Sequence, residues 1–426
     1  MIIEFCVSNF RSIRDEQVFS LYTHVPGKHL PENTVLCPGT KNIHILKSAG
    51  VYGANASGKS NLLRALYAFS FLVSQSSRFD DKDKILCYEP YRLDELSEKR
   101  PTVFDIEFVT KQQNRFHYQV AFTENSIQRE RLSYYPSAKE AMLFSRKETD
   151  TWETVKFGDH CRGVRRVPFF PNQCYLSVAG KNAATSPLVR EAYDFIRSIV
   201  RLSIGESANV AADKLRDIQT DLSGFIAAID TGVHQLHIEE CEVDEKKIKF
   251  PSDFPENIKN TILDKERWKP RFHHQGDDGR DVIFELKDES AGTQRFYDRF
   301  PLILDVIRNG GTLMIDELEN SWHSFIGELV IRLFNDQEVN PFGAQLIFST
   351  HDISLMSSEH LRRDQIWFTE KKNGATTLYS LNDFDKKMVT PDSVFGKLYL
   401  EGRLGAFPKY SWAGIKKLIR QEVEHA

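Results

Sequence analysis

The residues most suited to chemistry stand in one glycine-rich stretch, GANASGKS, at positions 53–60. It fits the pattern G-x-x-x-x-G-K-[S/T] at every fixed position, between an apolar run and an amphipathic one. Glycines let such a loop turn backbone N–H groups onto phosphate oxygens, and the following helix adds its dipole. We expect Lys59 to reach β- and γ-phosphates and Ser60 to bind Mg²⁺. The alternative is a glycine-rich turn that matches by chance. The residues expected to contact nucleotide here are Gly53, Ala54, Asn55, Ser57, Gly58, Lys59, Ser60 and Asn61.

A second candidate site is the acidic pair Asp316 and Glu317, which follows the apolar residues in the stretch GGTLMIDELEN, residues 310–320. Open α/β sheets bind ligands at the carboxyl ends of their strands, where Asp316 and Glu317 are expected. We expect Asp316 to hold Mg²⁺ through water and Glu317 to act as general base towards an attacking water. The alternative is a helix N-terminus decorated with acids, which its dipole favours.

One histidine follows a third apolar strand and could belong to the same edge. The strand LIF, at 346–348, is followed by STHD, and His351 there is expected to contact a γ-phosphate and to position the water. A lone histidine is more often structural, so this hypothesis depends on the acidic strand before it. His273 and His274 lie near two aspartates in a hairpin, which favours solvated residues over a metal site. His323 is expected either to face a second subunit or to pack.

The hydrophobic pattern around these motifs predicts an α/β core with an insertion. Residues 2–22 suggest two strands, 101–135 a β-meander and 186–235 helices, one of them covering LVREAYDFIRSIVRL at 188–202. A hairpin over 268–288 precedes alternating helices and strands. We expect four parts. They are 1–70 with the phosphate loop, 71–180 with the meander, 181–260 as a helical lobe, and 261–426 as the second half of the core.

Composition limits the class of protein. The 426 residues are 41% hydrophobic and 27% charged, a composition that excludes wholesale disorder. The net charge of −4 predicts no strong nonspecific binding to nucleic acid. The six cysteines form no CxxC pair, so a zinc site or a disulfide framework is not expected. We expect no signal peptide and no membrane span, and a cytoplasmic location.

The order of four motifs, GANASGKS, DESAGTQ, MIDELEN and STHD, resembles the ABC-type ATPase heads of the SMC and RecF groups. It is more similar to the OLD-type ATPases and to stand-alone AAA ATP-binding proteins of bacterial defence, such as those of abortive-infection and PARIS-type systems. The strings VSNFRSIRD, YRLDELSEKRPTVFDIEF and YLEGRLGAFP extend the resemblance nearly end to end. It implies an α/β P-loop ATPase head with an antiparallel β subdomain and a helical insertion.

The resemblance also implies cofactors and roles. Lys59 and Ser60 match the Walker A residues, Asp316 and Glu317 the Walker B pair, and His351 the switch histidine. ATP and Mg²⁺ are the implied cofactors.

The stretch KDESAGTQRFYDRF, residues 287–300, predicts by itself only a flexible turn before a helix. By resemblance, Ser290 and Gly292 are signature residues that complete the ATP site of a partner subunit, which implies a homodimer or a higher homo-oligomer. The sequence SAGTQ differs from the LSGGQ of transporters. A Q-loop glutamine stays unassigned among Gln112, Gln113 and Gln119.

Three functions fit these observations. The first is an ATPase that assembles around ATP and controls a separately encoded effector, a TOPRIM-type nuclease or another toxin, in anti-phage defence. The second is a RecF-like repair ATPase that clamps DNA, using basic stretches at 162–166 and 415–420. The third, a degenerate head that serves as a scaffold, is disfavoured by the intact Lys59, Asp316 and Glu317.

Overall fold

The computed structural model describes most of the chain. His323 lies outside the described residues, as does the basic stretch 415–420 apart from Lys416. The described residues are 1–24, 27–202, 212–229, 232–243, 267–320, 324–385 and 393–407, with a few isolated positions between and beyond them.

The described residues form strands and helices in the following order. The strands are β1 (Ile2–Ser8), β2 (Gln17–Ser20), β3 (Tyr22–Thr23), β4 (Thr34–Leu36), β5 (His44–Leu46), β6 (Ser48–Tyr52), β7 (Thr102–Val109), β8 (Arg115–Phe122), β9 (Ile127–Tyr134), β10 (Ala141–Lys147), β11 (Lys156–Phe157), β12 (Ile199–Leu202), β13 (Val233–Glu240), β14 (Trp268–Gln275), β15 (Asp281–Glu285), β16 (Thr312–Ile315), β17 (Gln345–Ser349), β18 (Ile366–Lys372) and β19 (Ala375–Ser380). The α-helices are α1 (Lys59–Gln75), α2 (Glu95–Glu98), α3 (Tyr175–Gly180), α4 (Pro187–Arg197), α5 (Ala212–Asp217), α6 (Gln219–Ala228), α7 (Ala291–Asn309), α8 (Ser324–Asn335) and α9 (Phe395–Leu400).

A six-stranded sheet, in the order β12-β16-β17-β6-β18-β19, forms the centre and confirms the predicted α/β class. All its neighbouring strands are parallel except β18 and β19. Strands β6, β16 and β17 are buried at every position, as is typical of parallel strands that are covered on both faces. Because β16, β17 and β6 are neighbours, the segments that follow Ile315, Ser349 and Tyr52 meet at one edge of the sheet.

A seven-stranded antiparallel sheet, in the order β11-β10-β9-β8-β7-β1-β2, covers the other side of helix α1. The predicted meander is β7 to β9, and β7 pairs with β1, so this segment extends the N-terminal sheet. Phe69 of α1 packs against Phe104 of β7 with ring centroids 6.0 Å apart, and both rings are buried. One hydrophobic core therefore joins both sheets through the helix that begins at the phosphate loop.

The predicted hairpin over 268–288 is confirmed as β14 and β15, and β13 completes a three-stranded antiparallel sheet. Its buried face shares a core with helices α6 and α7. Phe272 of β14, for example, packs against Tyr297 of α7 with ring centroids 5.8 Å apart.

The predicted helix over residues 188–202 is wrong in its last four residues. Helix α4 ends at Arg197, and Ile199–Leu202 is strand β12, parallel to β16 at the edge of the central sheet. The reason is tertiary. Ile199 and Val200 are β-branched and suit a strand, and their partners on β16 lie more than a hundred residues away in sequence. The expected helical part, 181–260, thus also contains strands β12 and β13.

Candidate functional site

At two positions in the glycine-rich loop, only glycine fits the backbone conformation and the available space. Gly53 has φ 148° and Gly58 has φ 117°, values that other residues rarely adopt. A Cβ at Gly53 would lie 2.5 Å from the Thr369 carbonyl oxygen, and one at Gly58 would overlap the Thr376 hydroxyl. The loop is therefore a backbone cradle shaped by glycine, which fits a phosphate chain.

Side chains of β18 and β19 form hydrogen bonds with this loop. The Ser57 hydroxyl lies 2.6 Å from that of Thr369, and the Thr376 hydroxyl donates to the Ser57 carbonyl at 2.8 Å. The Ala54 N–H donates to the Ala406 carbonyl at 3.0 Å. Sequence reasoning missed the two threonines, because no local pattern connects them with a loop more than three hundred residues earlier.

Lys59 begins helix α1 and is almost entirely buried. Its Nζ donates to the carbonyls of Gly53 at 2.9 Å and Ala54 at 3.3 Å, and it lies 3.0 Å from Nε2 of His351. Burial lowers the pKa of Lys59 to about 8, although neighbouring carboxylates, foremost that of Glu319, act in the opposite direction. Phosphate oxygens would restore the charged form.

Ser60 and Asp316 come together as the sequence predicts for a metal site. The Ser60 hydroxyl donates to Oδ1 of Asp316 at 3.0 Å, and the Ser349 hydroxyl donates to the same oxygen at 2.6 Å. Asp316 is 6% exposed. A hydroxyl and a carboxylate at the mouth of a phosphate loop are the oxygen ligands that Mg²⁺ takes beside phosphates, so the residues fit that ion.

Glu317 has an unusual backbone conformation, with φ 55°. Its N–H donates to the Ser349 hydroxyl at 2.8 Å, and its carboxylate accepts from the Asn320 amide. Its side chain lines the same cleft as Lys59. A left-handed conformation at a non-glycine residue is held only where the surroundings fix it, and such positions concentrate at functional sites.

Glu319 is a site residue that sequence reasoning missed. Its two oxygens accept from the Thr350 hydroxyl at 2.6 Å and from the His351 N–H at 2.7 Å. The acidic loop is thereby tied to the loop that carries the histidine. The available signal was the third acid of IDELEN, two positions after Glu317.

His351 faces Lys59 across the cleft. Burial lowers the pKa of the imidazole below its ordinary value, and the charge of Lys59 acts in the same direction. At neutral pH the ring is therefore neutral and can accept a hydrogen bond through one nitrogen while it donates through the other.

A cleft of about 570 Å³ is lined by Lys59, Ser60, Glu317 and His351, whereas Asp316 and Glu319 lie behind these residues and do not line it. Of the predicted loop residues, all but Gly53 and Ala54 line it, together with Ala56, Glu317, His351 and Lys371. Lys371 also lines a neighbouring cleft of about 620 Å³, whose walls include Arg11, Ser12, Tyr91 and Arg92. No role was predicted from the sequence for this second cleft.

The signature residues do not belong to this cleft. Ser290 and Gly292 are exposed at the start of α7, where the Ser290 hydroxyl caps the helix by accepting from the Thr293 N–H at 3.1 Å. None of the three Q-loop candidates lines the cleft either. Gln119, for instance, donates to Asp105 on the neighbouring strand at 2.5 Å.

The hairpin histidines were expected to be solvated, but both are partly buried and paired with carboxylates. His273 lies 2.6 Å from Asp281, and His274 lies 2.7 Å from Glu289. Within the described residues no group of three or more His, Cys, Asp and Glu side chains could hold a metal ion. No helix in the described part of the chain is both long and apolar enough to cross a membrane.

One protein family matches the chain over residues 48–357, a segment that contains the loop, the signature, the acidic strand and His351. Its description reads "AAA domain, putative AbiEii toxin, Type IV TA system". The chain belongs to this AAA family. No curated protein matches it.

Several solved structures are similar to this AAA protein in fold. The SMC head domain from Thermotoga maritima shares 12% identity and a TM-score of 0.39, with 89% of this chain and 98% of that chain covered. An SMC head bound to the C-terminal winged-helix domain of ScpA shares 12% identity and a TM-score of 0.43, with 91% of this chain and 99% of that chain covered. The recombination mediator protein RecF-ATPrS shares 14% identity and a TM-score of 0.37, with 89% of this chain and 98% of that chain covered.

Proposed function

We propose that this AAA protein binds and hydrolyses ATP in the cleft formed by the glycine-rich loop. The observation that carries the proposal is one cleft lined by Lys59, Ser60, Glu317 and His351, which follow three neighbouring strands. The carboxylate of Asp316 accepts from the Ser60 hydroxyl beside it. Steady-state release of phosphate from ATP tests it. Lys59→Ala is expected to abolish ATP binding, and Glu317→Gln to retain binding while turnover is lost.

Each of these groups has a separate role in the hydrolysis of the γ-phosphate. The loop N–H groups and Lys59 hold the β- and γ-phosphates. Ser60 and Asp316 would hold Mg²⁺, which when bound would offset negative charge on the phosphate oxygens. Glu317 takes a proton from the attacking water as the water oxygen bonds to the γ-phosphorus. The bond to the β,γ-bridging oxygen breaks, and ADP and phosphate leave. The neutral His351 ring orients the attacking water or the γ-phosphate.

We propose further that the site is completed by a second copy of the chain. Ser290 caps a nineteen-residue helix whose exposed N-terminus presents backbone N–H groups and the positive end of a dipole. Ser290 and Gly292 do not line the cleft of their own subunit. This supports a role for them towards the γ-phosphate bound by a partner subunit. Turnover per subunit is then expected to rise with protein concentration. Ser290→Arg is expected to lower turnover while ATP binding persists.

The biological output that we propose is control of a separately encoded effector, a nuclease of TOPRIM type or another toxin, in defence against phage. The support is the family description, which names a toxin–antitoxin system, together with the motif order. The test is co-expression with the product of the adjacent gene during phage infection. Protection that depends on that gene and is lost with Glu317→Gln is expected, and protection by the ATPase alone would contradict the proposal.

A DNA clamp is the second candidate, and the basic stretch at 162–166 lends it little support. Arg162 pairs with Asp159 at 2.7 Å, and Arg166 donates to the Val155 carbonyl at 2.8 Å and stacks on Phe157. Binding of the purified protein to duplex DNA that weakens steeply with salt is the result that would favour the clamp.

A further inference from the structure

Glu289, directly before the signature serine, is a buried carboxylate. The residue is 8% exposed, whereas Ser290 beside it is exposed. Its Oε1 accepts from Nε2 of His274 at 2.7 Å, and its carbonyl accepts from the Gln294 side chain at 2.8 Å. Both the side chain and the backbone of Glu289 are thus fixed where helix α7 begins.

His274 belongs to the middle strand of the three-stranded sheet. It is paired with Val233 of β13 on one side and with Val282 of β15 on the other, and its ring lies 4.6 Å from that of Phe284. Its orientation is therefore set by the sheet, and the contact with Glu289 connects the sheet with the start of the helix.

The charge of Glu289 makes this contact important for a phosphate. A carboxylate one residue before an anion-binding helix N-terminus repels a γ-phosphate if it turns towards it. In the observed arrangement the carboxylate points to His274, and a buried carboxylate keeps such a partner because an unpaired one is strongly disfavoured. A shift of the sheet relative to α7 would release Glu289 and change both the position and the electrostatics of Ser290.

We propose that His274 and Glu289 are positioning residues that hold the signature in the state required by the partner subunit's ATP site. The three-stranded sheet thereby controls ATP hydrolysis in the other subunit. This inference rests on the proposed function, specifically on a signature that acts on a partner's nucleotide.

The test compares His274→Gln with the matched control His273→Gln. His273 is the adjacent residue on the same strand, and its carboxylate partner, Asp281 at 2.6 Å, lies within the sheet. We expect His274→Gln to lower kcat roughly 10-fold while KM for ATP stays close to that of the wild type, because a misplaced contact acts on turnover. His273→Gln is expected to behave as the wild type. Glu289→Gln, which still accepts from His274, is expected to retain more activity than Glu289→Ala.

Mixing variants separates positioning from a folding defect. A His274→Gln subunit keeps its own phosphate loop, so together with a Lys59→Ala subunit it forms one site with an intact loop and an intact signature. Turnover is expected to return in that mixture. It is not expected to return when His274→Gln is mixed with Ser290→Arg, since both subunits then carry signature defects. Thermal melting and ATP binding of His274→Gln alone verify its fold.

The outcomes distinguish this inference from the proposal beneath it. If Lys59→Ala and Ser290→Arg subunits restore turnover to each other and His274→Gln matches His273→Gln, the inference is wrong and the shared site stands. Failure of His274→Gln to regain activity with Lys59→Ala would also overturn the inference, since the defect would then be structural. If Lys59→Ala and Ser290→Arg restore nothing, the shared site is wrong and the inference falls with it.

Discussion

At the scale of single residues, the site is a set of charged and neutral polar groups held close together by hydrogen bonds. Lys59, Asp316 and His351 were predicted from the pattern of the sequence, because their types and their places after strands were local properties. Glu319 and Thr376 were not, since what they do depends on contacts with segments distant in sequence. The roles of all these residues in catalysis stay predictions until they are measured.

The first prediction concerns the buried charge of Lys59. Its pKa of about 8 in the folded protein lies below the ordinary 10.5, so below pH 8 the amine is charged in both states and its burial destabilises the fold. Between about pH 8 and 10.5 the folded protein has lost this proton while the unfolded chain keeps it. The free energy of unfolding of the wild type should therefore rise, relative to Lys59→Met, across that range.

Urea unfolding of both proteins without nucleotide, at several pH values, measures this difference. At pH 7 Lys59→Met is expected to be more stable by about 1 kcal/mol, after allowance for solvent screening of the amine. Parallel stability curves for the two proteins would show that Lys59 keeps its ordinary pKa.

The second prediction separates two carboxylates. Glu317→Gln removes the proposed general base and should lower kcat by about 10²- to 10⁴-fold. Glu319→Gln leaves one acceptor for two donors, Thr350 and His351, and should lower kcat only about 10-fold through misplacement of His351. Single-turnover rates with bound ATP compare them. A larger loss with Glu319→Gln would assign the base to Glu319.

At the scale of elements, much of the architecture follows from local patterns. The strand before the loop, helix α1 from Lys59, and the acidic strand β16 were predicted from apolar runs and glycine positions, and each is confirmed. Strand β12 was missed because its residues continue the helical pattern of α4 and adopt a strand only beside β16. Pairing of distant strands is a tertiary property that no local pattern encodes.

The third prediction contrasts two glycines at two helix starts. Gly58→Ala places a Cβ against the Thr376 hydroxyl at φ 117°, so the loop must distort, and we expect loss of ATP binding and of stability. Gly292 lies in the first turn of α7, where an added Cβ would have only the Ser290 hydroxyl near it, at 3.7 Å. Gly292→Ala should therefore raise stability slightly, by up to about 1 kcal/mol, yet lower turnover if a partner's phosphate approaches there.

Melting curves and ATPase rates of the two alanine variants check this contrast. If Gly292→Ala hydrolyses ATP as fast as the wild type, close approach of a phosphate to this helix start is contradicted. A Gly58→Ala protein that binds ATP normally would show that the loop does not need glycine there.

At the scale of the whole molecule, helix α1 connects the phosphate loop with both large sheets. Its buried residues pack against the antiparallel sheet on one side and the central sheet on the other. The signature helix α7 belongs to a second core, which contains residues of the three-stranded sheet and of the opposite face of the central sheet. The helix after the loop and the signature helix thus belong to the two cores on opposite faces of the central sheet. This arrangement suits a symmetric assembly in which the two halves of a site come from different copies.

The measurement that tests this account most directly is ATP hydrolysis by an equal mixture of Lys59→Ala and Ser290→Arg subunits. Each variant alone should hydrolyse ATP much more slowly than the wild type. In a mixed dimer one site combines an intact loop with an intact signature, so random assembly should restore about a quarter of the wild-type rate. A mixture that exchanges subunits yet stays as inactive as its components would contradict a site shared between two copies.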